Sequence, residues 1–416
     1  MALNRHLLRW WFSVRHLRRA LQGNGGQKFD HDQLVMRRCP NRPGPECYTG
    51  RSQSRLWSAT IFLAIAVSTY VCAGGTSSDA DSQGRLAGQT SRWSYASSTT
   101  NKLASAGLSN LDCFTTKDCI LWNSNTGSFY TFLASTHDDG GSWQTEKVAG
   151  ILLSVSCLHT GRCVAVGASA QRAGVVESFI SRDGGSSWAL GGSLGPKNPG
   201  PVACGSSNSC VELGQAPFYT DDGATAWQES KSPPMLSFGF SVTCPSANWC
   251  IAVAESTRSQ VFITSNGGRD WTSTRSPGYG WFPAVSCIKA GSCTLIGGPN
   301  HAYGQPPPGA VPVIVRTTDG GTTWQRNVIR GISQVSSGVC ASNQDCLAFG
   351  SSAVVDVTHD GGISWRVVPL GQGTEPIETA ECPSAQTCFA LGVDQPTGGS
   401  SLFRTTNDGN TWRRLW

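Results

Sequence analysis

The chain has 416 residues, 14% of them charged and 49 of them glycine, a composition that argues against a helical or disordered chain and for a soluble, turn-rich β protein. Its net charge of +5 is uneven: residues 1–74 carry eleven Lys/Arg against three Asp/Glu, and the rest carries twenty-one against twenty-four. The body of the chain is therefore not basic, which excludes nucleic acid as its main partner, because phosphate binding needs a positive patch.

At the N-terminus, Leu3, Leu7, Trp10, Val14, Leu17 and Leu21 fall on one helical stripe beside Arg5, Arg9, Arg15, Arg18 and Arg19, a pattern suited to an anionic membrane surface. The same stretch also reads as an unstructured or untranslated extension, with Met36 as the start. Pro40, Pro43 and Pro45 follow, so residues 1–55 read as a basic region and linker in which Cys39 and Cys47 have no assigned role. Residues 56–74 hold the apolar run ATIFLAIAVSTYVCA, preceded by Arg51 and Arg55. A run of about fifteen residues is short for a spanning helix. Val71-Cys72-Ala73 resembles a small-residue cleavage site, which favours a signal peptide, whereas the long basic flank favours a signal anchor. Val71 is too large to precede a lipidated cysteine. In each case the basic flank stays inside and the chain beyond it is exported, to be secreted or held on the cytoplasmic membrane. Residues 75–92 are a polar linker.

From residue 93 to 416 the chain repeats. Thr317-Thr318-Asp319-Gly320-Gly321-Thr322-Thr323-Trp324 recurs with variations at Thr136 to Trp143, Ser181 to Trp188, Thr220 to Trp227, Thr264 to Trp271, Thr358 to Trp365 and Thr405 to Trp412. Asp at the third position can accept backbone hydrogen bonds from two residues on, and glycine takes positive φ at no steric cost, so each octet predicts a tight turn between strands. Asn266 and Asn407 replace the Asp, and Ala224 replaces a Gly, which predicts weaker turns there. Before each octet stand two cysteines with five residues between them: Cys113/Cys119, Cys157/Cys163, Cys204/Cys210, Cys244/Cys250, Cys287/Cys293, Cys340/Cys346 and Cys382/Cys388. In an exported chain such pairs read as disulfides clipping the first hairpin of each repeat, with reduced structural thiols and a metal site as the alternatives. Zinc spacing wants two to four intervening residues and usually histidine partners, so no metal and no cofactor is expected. The order within a repeat is an apolar run ending in Cys, a polar loop, two further apolar runs, the octet, and a strand opening with Trp. Four antiparallel strands per repeat follow.

The octets fit S/T-x-D-x-G-x-x-W, and on them the chain resembles the Asp-box (BNR) repeat β-propellers, a group that includes sialidases, sortilin-type receptors and the photosystem II assembly factor. The cysteine pairs resemble those of exported actinobacterial repeat proteins. The resemblance implies an all-β, seven-bladed propeller of four-stranded antiparallel blades over residues 93–416, preceded by the basic leader and the hydrophobic segment. A linear solenoid is the other arrangement of such repeats. Arg92 to Ser97, which include Trp93, read as a spare outer strand that could join or displace Thr411 to Trp416.

Strand alternation puts the cysteine loops and octets on one face and the remaining connections on the other. That second face varies in length: ten residues separate Cys210 from Thr220, but twenty-four separate Cys293 from Thr317. Variable loops on a rigid scaffold are where binding usually resides. Tyr279, Trp281, His301 and Tyr303 gather there by sequence order, with Arg258 in a neighbouring loop, and could stack on a sugar or grip a protein segment. Trp281 and Phe282 equally read as core between blades. A sialidase-like glycosidase would draw on Arg172, Arg258, Arg330, Glu255, Glu375, Glu378 and Asp394, but these form no recognisable motif, and the Arg-Ile-Pro signature is absent. The resulting expectation is a non-catalytic extracytoplasmic propeller that binds an envelope or extracellular protein or glycan, with a glycoside hydrolase as the rival.

Overall fold

The computed structural model describes residues 103–124, 129–231, 240–254, 260–299, 308–350, 353–371, 376–394 and 398–416. The basic region, the apolar segment, the polar linker and Trp93 lie outside them. Among the described residues no helix is long and apolar enough to cross a membrane.

Within each sheet every strand pairs antiparallel with its neighbours in sequence. The first unit comprises β1 (Asn110–Cys113), β2 (Cys119–Trp122), β3 (Tyr130–Thr136) and the start of β4 (Gln144–Cys157). The end of β4 opens the second unit, with β5 (Cys163–Ser169), β6 (Val176–Ser181) and β7 (Ala189–Gly195). The third holds β8 (Val202–Cys204), β9 (Cys210–Leu213), β10 (Pro217–Thr220) and β11 (Gln228–Glu229). The fourth holds β12 (Phe240–Thr243), β13 (Cys250–Ala254), β14 (Gln260–Thr264) and β15 (Thr272–Thr274). The fifth holds β16 (Trp281–Lys289), β17 (Ser292–Gly298), β18 (Val313–Thr317) and β19 (Gln325–Val328). The sixth holds β20 (Ser337–Cys340), β21 (Cys346–Phe349), β22 (Val354–Thr358) and β23 (Arg366–Pro369). The seventh holds β24 (Ile377–Glu381), β25 (Cys388–Val393), β26 (Ser400–Thr405) and β27 (Arg413–Arg414).

The predicted break between the first two repeats is absent. β4 runs unbroken for 14 residues and joins the two units into one seven-stranded sheet. Its sequence has no proline, and the chain changes direction through bulges, one where Tyr130 faces both Ala149 and Gly150 and one between Leu152 and Ser154. A bulge bends and twists a strand without ending it.

The core lies between successive units, because the second strand of each unit is buried on both faces. Ile251 and Val253 of the fourth unit pack with Phe282 and Leu295 of the fifth. The same packing joins the ends of the array: Leu103, Leu108, Leu111 and Leu121 pack with Phe389, Leu391 and Leu402. The seventh unit completes its own outer edge, since the Leu415 amide donates to the Leu402 carbonyl at 2.7 Å. This architecture, repeated four-stranded antiparallel sheets with the last packed on the first, is consistent with a β-propeller.

Candidate functional site

The two ends of each sheet are built differently. At one end the octet and the cysteine loop are zipped together. The first hydroxyl of the octet donates to the third-position Asp or Asn, as Thr317 does to Asp319 at 2.8 Å, and accepts from the fifth amide, as from Gly321 at 2.8 Å. The third-position oxygen accepts from the amide four residues on, not two as the sequence suggested: Thr323 donates to Asp319 at 2.9 Å. Asn266 and Asn407 accept the matching amides of Asp270 and Thr411 at 3.0 and 2.9 Å. The Thr323 hydroxyl and amide together lower the Asp319 carboxyl to about 2, and Ser364 does the same for Asp360.

The fourth octet residue then donates its amide to the carbonyl two residues before the second cysteine. Gly184 reaches Gly161, Gly223 reaches Asn208, Gly320 reaches Gly291 and Gly361 reaches Gln344, at 2.9 to 3.0 Å. Asp139, Gly267 and Asp408 do likewise with Lys117, Asn248 and Gln386. This geometry needs positive φ at the fourth and fifth positions. Asp139, Ala224 and Asp408, the three described non-glycine residues with positive φ, all stand there. All seven cysteine pairs are disulfides, with Cα separations of 4.0 to 4.1 Å. They suggest an oxidising, extracytoplasmic location.

The inner strands of all seven units line one cavity of about 300 Å³. The residue three before the first cysteine faces it in each unit: Asn110, Ser154, Pro201, Ser241, Ala284, Ser337 and Thr379. Small and hydroxyl-bearing side chains leave the space open. Some also tie one inner strand to the next: Ser154 accepts from Val202 and Ser156 from Cys204, both at 3.0 Å, and Ser286 accepts from Cys340 at 3.2 Å.

Two residues further on, immediately before the first cysteine, the inner strands differ more. That position is Ser156, Ala203, Thr243, Ser286 and Val339 in the five middle units, but Asp112 in the first and Glu381 in the last. Asp112 accepts the Cys157 amide at 2.8 Å. Enclosure by protein raises its carboxyl to about 7 against the lowering effect of that bond. Glu381 is held well above the usual carboxylate range, first by burial and then by the charge of Asp112. Glu378 and Glu381 line the cavity, and among the described residues no Lys or Arg does. Among the described residues no group of three His, Cys, Asp or Glu is placed to hold a metal ion.

Other buried acids serve the backbone. Glu212 on β9 is 2% exposed, lifted by burial to about 8, and accepts the Gly200 amide. Asp356 on β22 accepts the Gly331 amide at 2.8 Å, and its carboxyl is raised by burial.

Of the residues singled out by sequence, Trp281 opens β16 and is 8% exposed beside a fully buried Phe282. Tyr279 is half-buried, and its carbonyl accepts from Arg326 at 3.0 Å. Arg258, His301, Tyr303, Glu255 and Glu375 lie outside the described residues. Arg172 pairs with Glu177, Arg330 is exposed, and Asp394 closes a loop by accepting the Gly398 amide at 2.7 Å. The structure brings none of these described residues but Glu378 to the cavity wall. Asp112 and Glu381 were not singled out, although each stands immediately before the first cysteine of its repeat.

No protein-family profile and no curated protein sequence matches the chain. Solved structures do resemble it. One, of YCF48 bound to D1 peptide, has a TM-score of 0.54 at 16% identity, covering 73% of this chain and 94% of that one. Another, of YCF48 from Cyanidioschyzon merolae, has a TM-score of 0.53 at 16% identity, covering 73% and 96%. At this identity the likeness concerns the fold: the chain is built like these propellers.

Proposed function

We propose that the chain is an exported, seven-bladed Asp-box propeller that binds an extended protein segment and catalyses no reaction on it. The observation that carries this reading is the cavity of about 300 Å³, walled by the inner strand of every blade and lined by hydroxyls, small apolar groups and carboxylates without a basic side chain. Such a wall offers acceptors and shape to a polypeptide, and a space of that size takes a side chain or a short stretch of backbone. Support comes from the fold likeness to a propeller whose structure is described as bound to a peptide. The segment would approach over the face opposite the disulfides, where Tyr279, Trp281, Arg258, His301 and Tyr303 belong by sequence order.

A photo-crosslinking residue placed at Ser154 or Ser337, on the cavity wall, and another at Thr322, on the octet face, test the reading in envelope extracts. Cavity positions should capture a polypeptide that the Thr322 position does not; equal capture at both would sink it.

The second reading, a glycosidase, is favoured by the two carboxylates on the cavity wall, Glu378 and Glu381, since glycoside hydrolysis uses a pair of carboxylates. Release of fluorophore from glycosides by the native protein, abolished by Glu381→Gln, would establish it in place of the first.

A further inference from the structure

What the cavity can hold depends on which polar groups still face it. Three of its lining residues, Pro199, Pro201 and Pro283, have no N–H. Two more have theirs occupied: the Val202 amide donates to Ser154 at 3.0 Å, and the Gly200 amide donates to Glu212. Asn110 spends its side-chain N–H groups on the hydroxyls of Ser109 and Ser124, at 2.9 and 2.8 Å. The wall that remains is rich in oxygen, from the hydroxyls of Ser241, Ser337 and Thr379 and the carboxyls of Glu378 and Glu381.

β24 is shaped to bring both acids there. In a regular strand, residues three apart point to opposite faces. A bulge between Ile377 and Thr379 shifts that alternation, and Glu378 and Glu381 both reach the wall. Glu378 already interacts within the protein, so Glu381 is the carboxyl to which a ligand would turn.

A group that only donates complements such a wall. Among polypeptide side chains, the lysine ammonium and the arginine guanidinium combine several N–H donors, a positive charge at neutral pH and no acceptor. We infer that the segment held in the cavity presents a lysine or arginine side chain to Glu381. This rests on the peptide-binding reading above and adds the chemistry of what is bound. Trp122 supports it separately: it lines the same cavity at 5% exposure, and its indole N–H is buried without a partner among the described residues. That N–H is a donor for a backbone carbonyl of the segment that carries the cation. The electrostatics agree. Burial raises the Glu381 carboxyl, the charge of Asp112 adds to the effect, and a cation brought beside it acts in the opposite sense.

The probes are four pools of acetylated, amidated heptapeptides, with a central lysine, arginine, norleucine or glutamate among neutral residues, passed over the immobilised, disulfide-intact full chain. The lysine and arginine pools should bind about tenfold more tightly than the norleucine pool, the scale of one charge-assisted hydrogen bond, and the glutamate pool least. Glu381→Gln should bring the cationic pools down to the norleucine level without weakening the norleucine pool. Ala284→Lys, which sets a cation on the wall from another unit, should do the same and decides the matter if the first variant folds poorly. A cationic preference that persists in the deciding variant would overturn the inference. Equal retention of all four pools, abolished when Ser337→Trp fills the cavity, would also overturn it while leaving the peptide-binding reading in place. Retention of no pool would overturn both.

Discussion

The octet face and the cavity wall are made by the same strands, yet they obey different rules. On the octet face the same amide-to-carbonyl pin and the same disulfide recur in all seven units, and substitutions such as Asn for Asp preserve the bonds. Along the cavity only the backbone repeats, and the residue before the first cysteine runs from Val339 to Glu381. Where a position is set by the need to close a turn, each copy answers alike. Where it borders open space, the copies are free to differ, and their differences carry what is particular to this chain.

Three substitutions break or sharpen that contrast. The largest effect is expected from replacing both cysteines of one bridge, Cys340→Ala with Cys346→Ala, which removes a cross-link closing a loop of six residue steps. On chain-entropy grounds it should cost about 2 kcal/mol, read as a lower thermal midpoint under oxidising conditions and no difference from the native chain under reducing ones. Next, Thr317→Ala leaves the buried Gly321 amide without its acceptor and should cost about 1.5 kcal/mol in urea titrations. A cost near zero would mean that water replaces the hydroxyl and that the octet's first position is not held by this bond. The smallest effect has the opposite sign. Asp408 sits at a φ of 57°, where glycine stands in most copies, so Asp408→Gly should stabilise by about 0.5 kcal/mol. A loss instead would show that the Asp side chain contributes something the turn geometry does not.

The same contrast explains what could be read in the sequence. The octets and the cysteine spacing announced the strands because a turn with positive φ and a cross-strand bridge each tolerate few residue types, and sevenfold repetition made the pattern plain. Two details of the strands escaped. Asp319 reaches four residues on because the glycine pair carries the chain past the nearer amides, and β4 passes between two units because Gly150 bends it without stopping it. The candidate site was legible in part. Glu378 was noted, but Trp281 sits in β16 beside Phe282, where periodicity alone cannot tell an aromatic of the core from one at a surface. Asp112 and Glu381 stand out only when the seven repeats are aligned on their first cysteine. They are 269 positions apart in the chain, on strands β1 and β24, which come together at the ends of the array.

Every disulfide links cysteines six positions apart, and the nearest wrong partner is several times farther along the chain. Because the entropic penalty of joining two points grows with the logarithm of their separation, the correct thiol is favoured over that neighbour on the order of tenfold before any strand has formed. Fourteen thiols could pair in a very large number of ways, but this spacing lets each bridge form as its own hairpin emerges into an oxidising space. Oxidative maturation should therefore proceed from the N-terminal repeat onward, with little need for an isomerase to correct it.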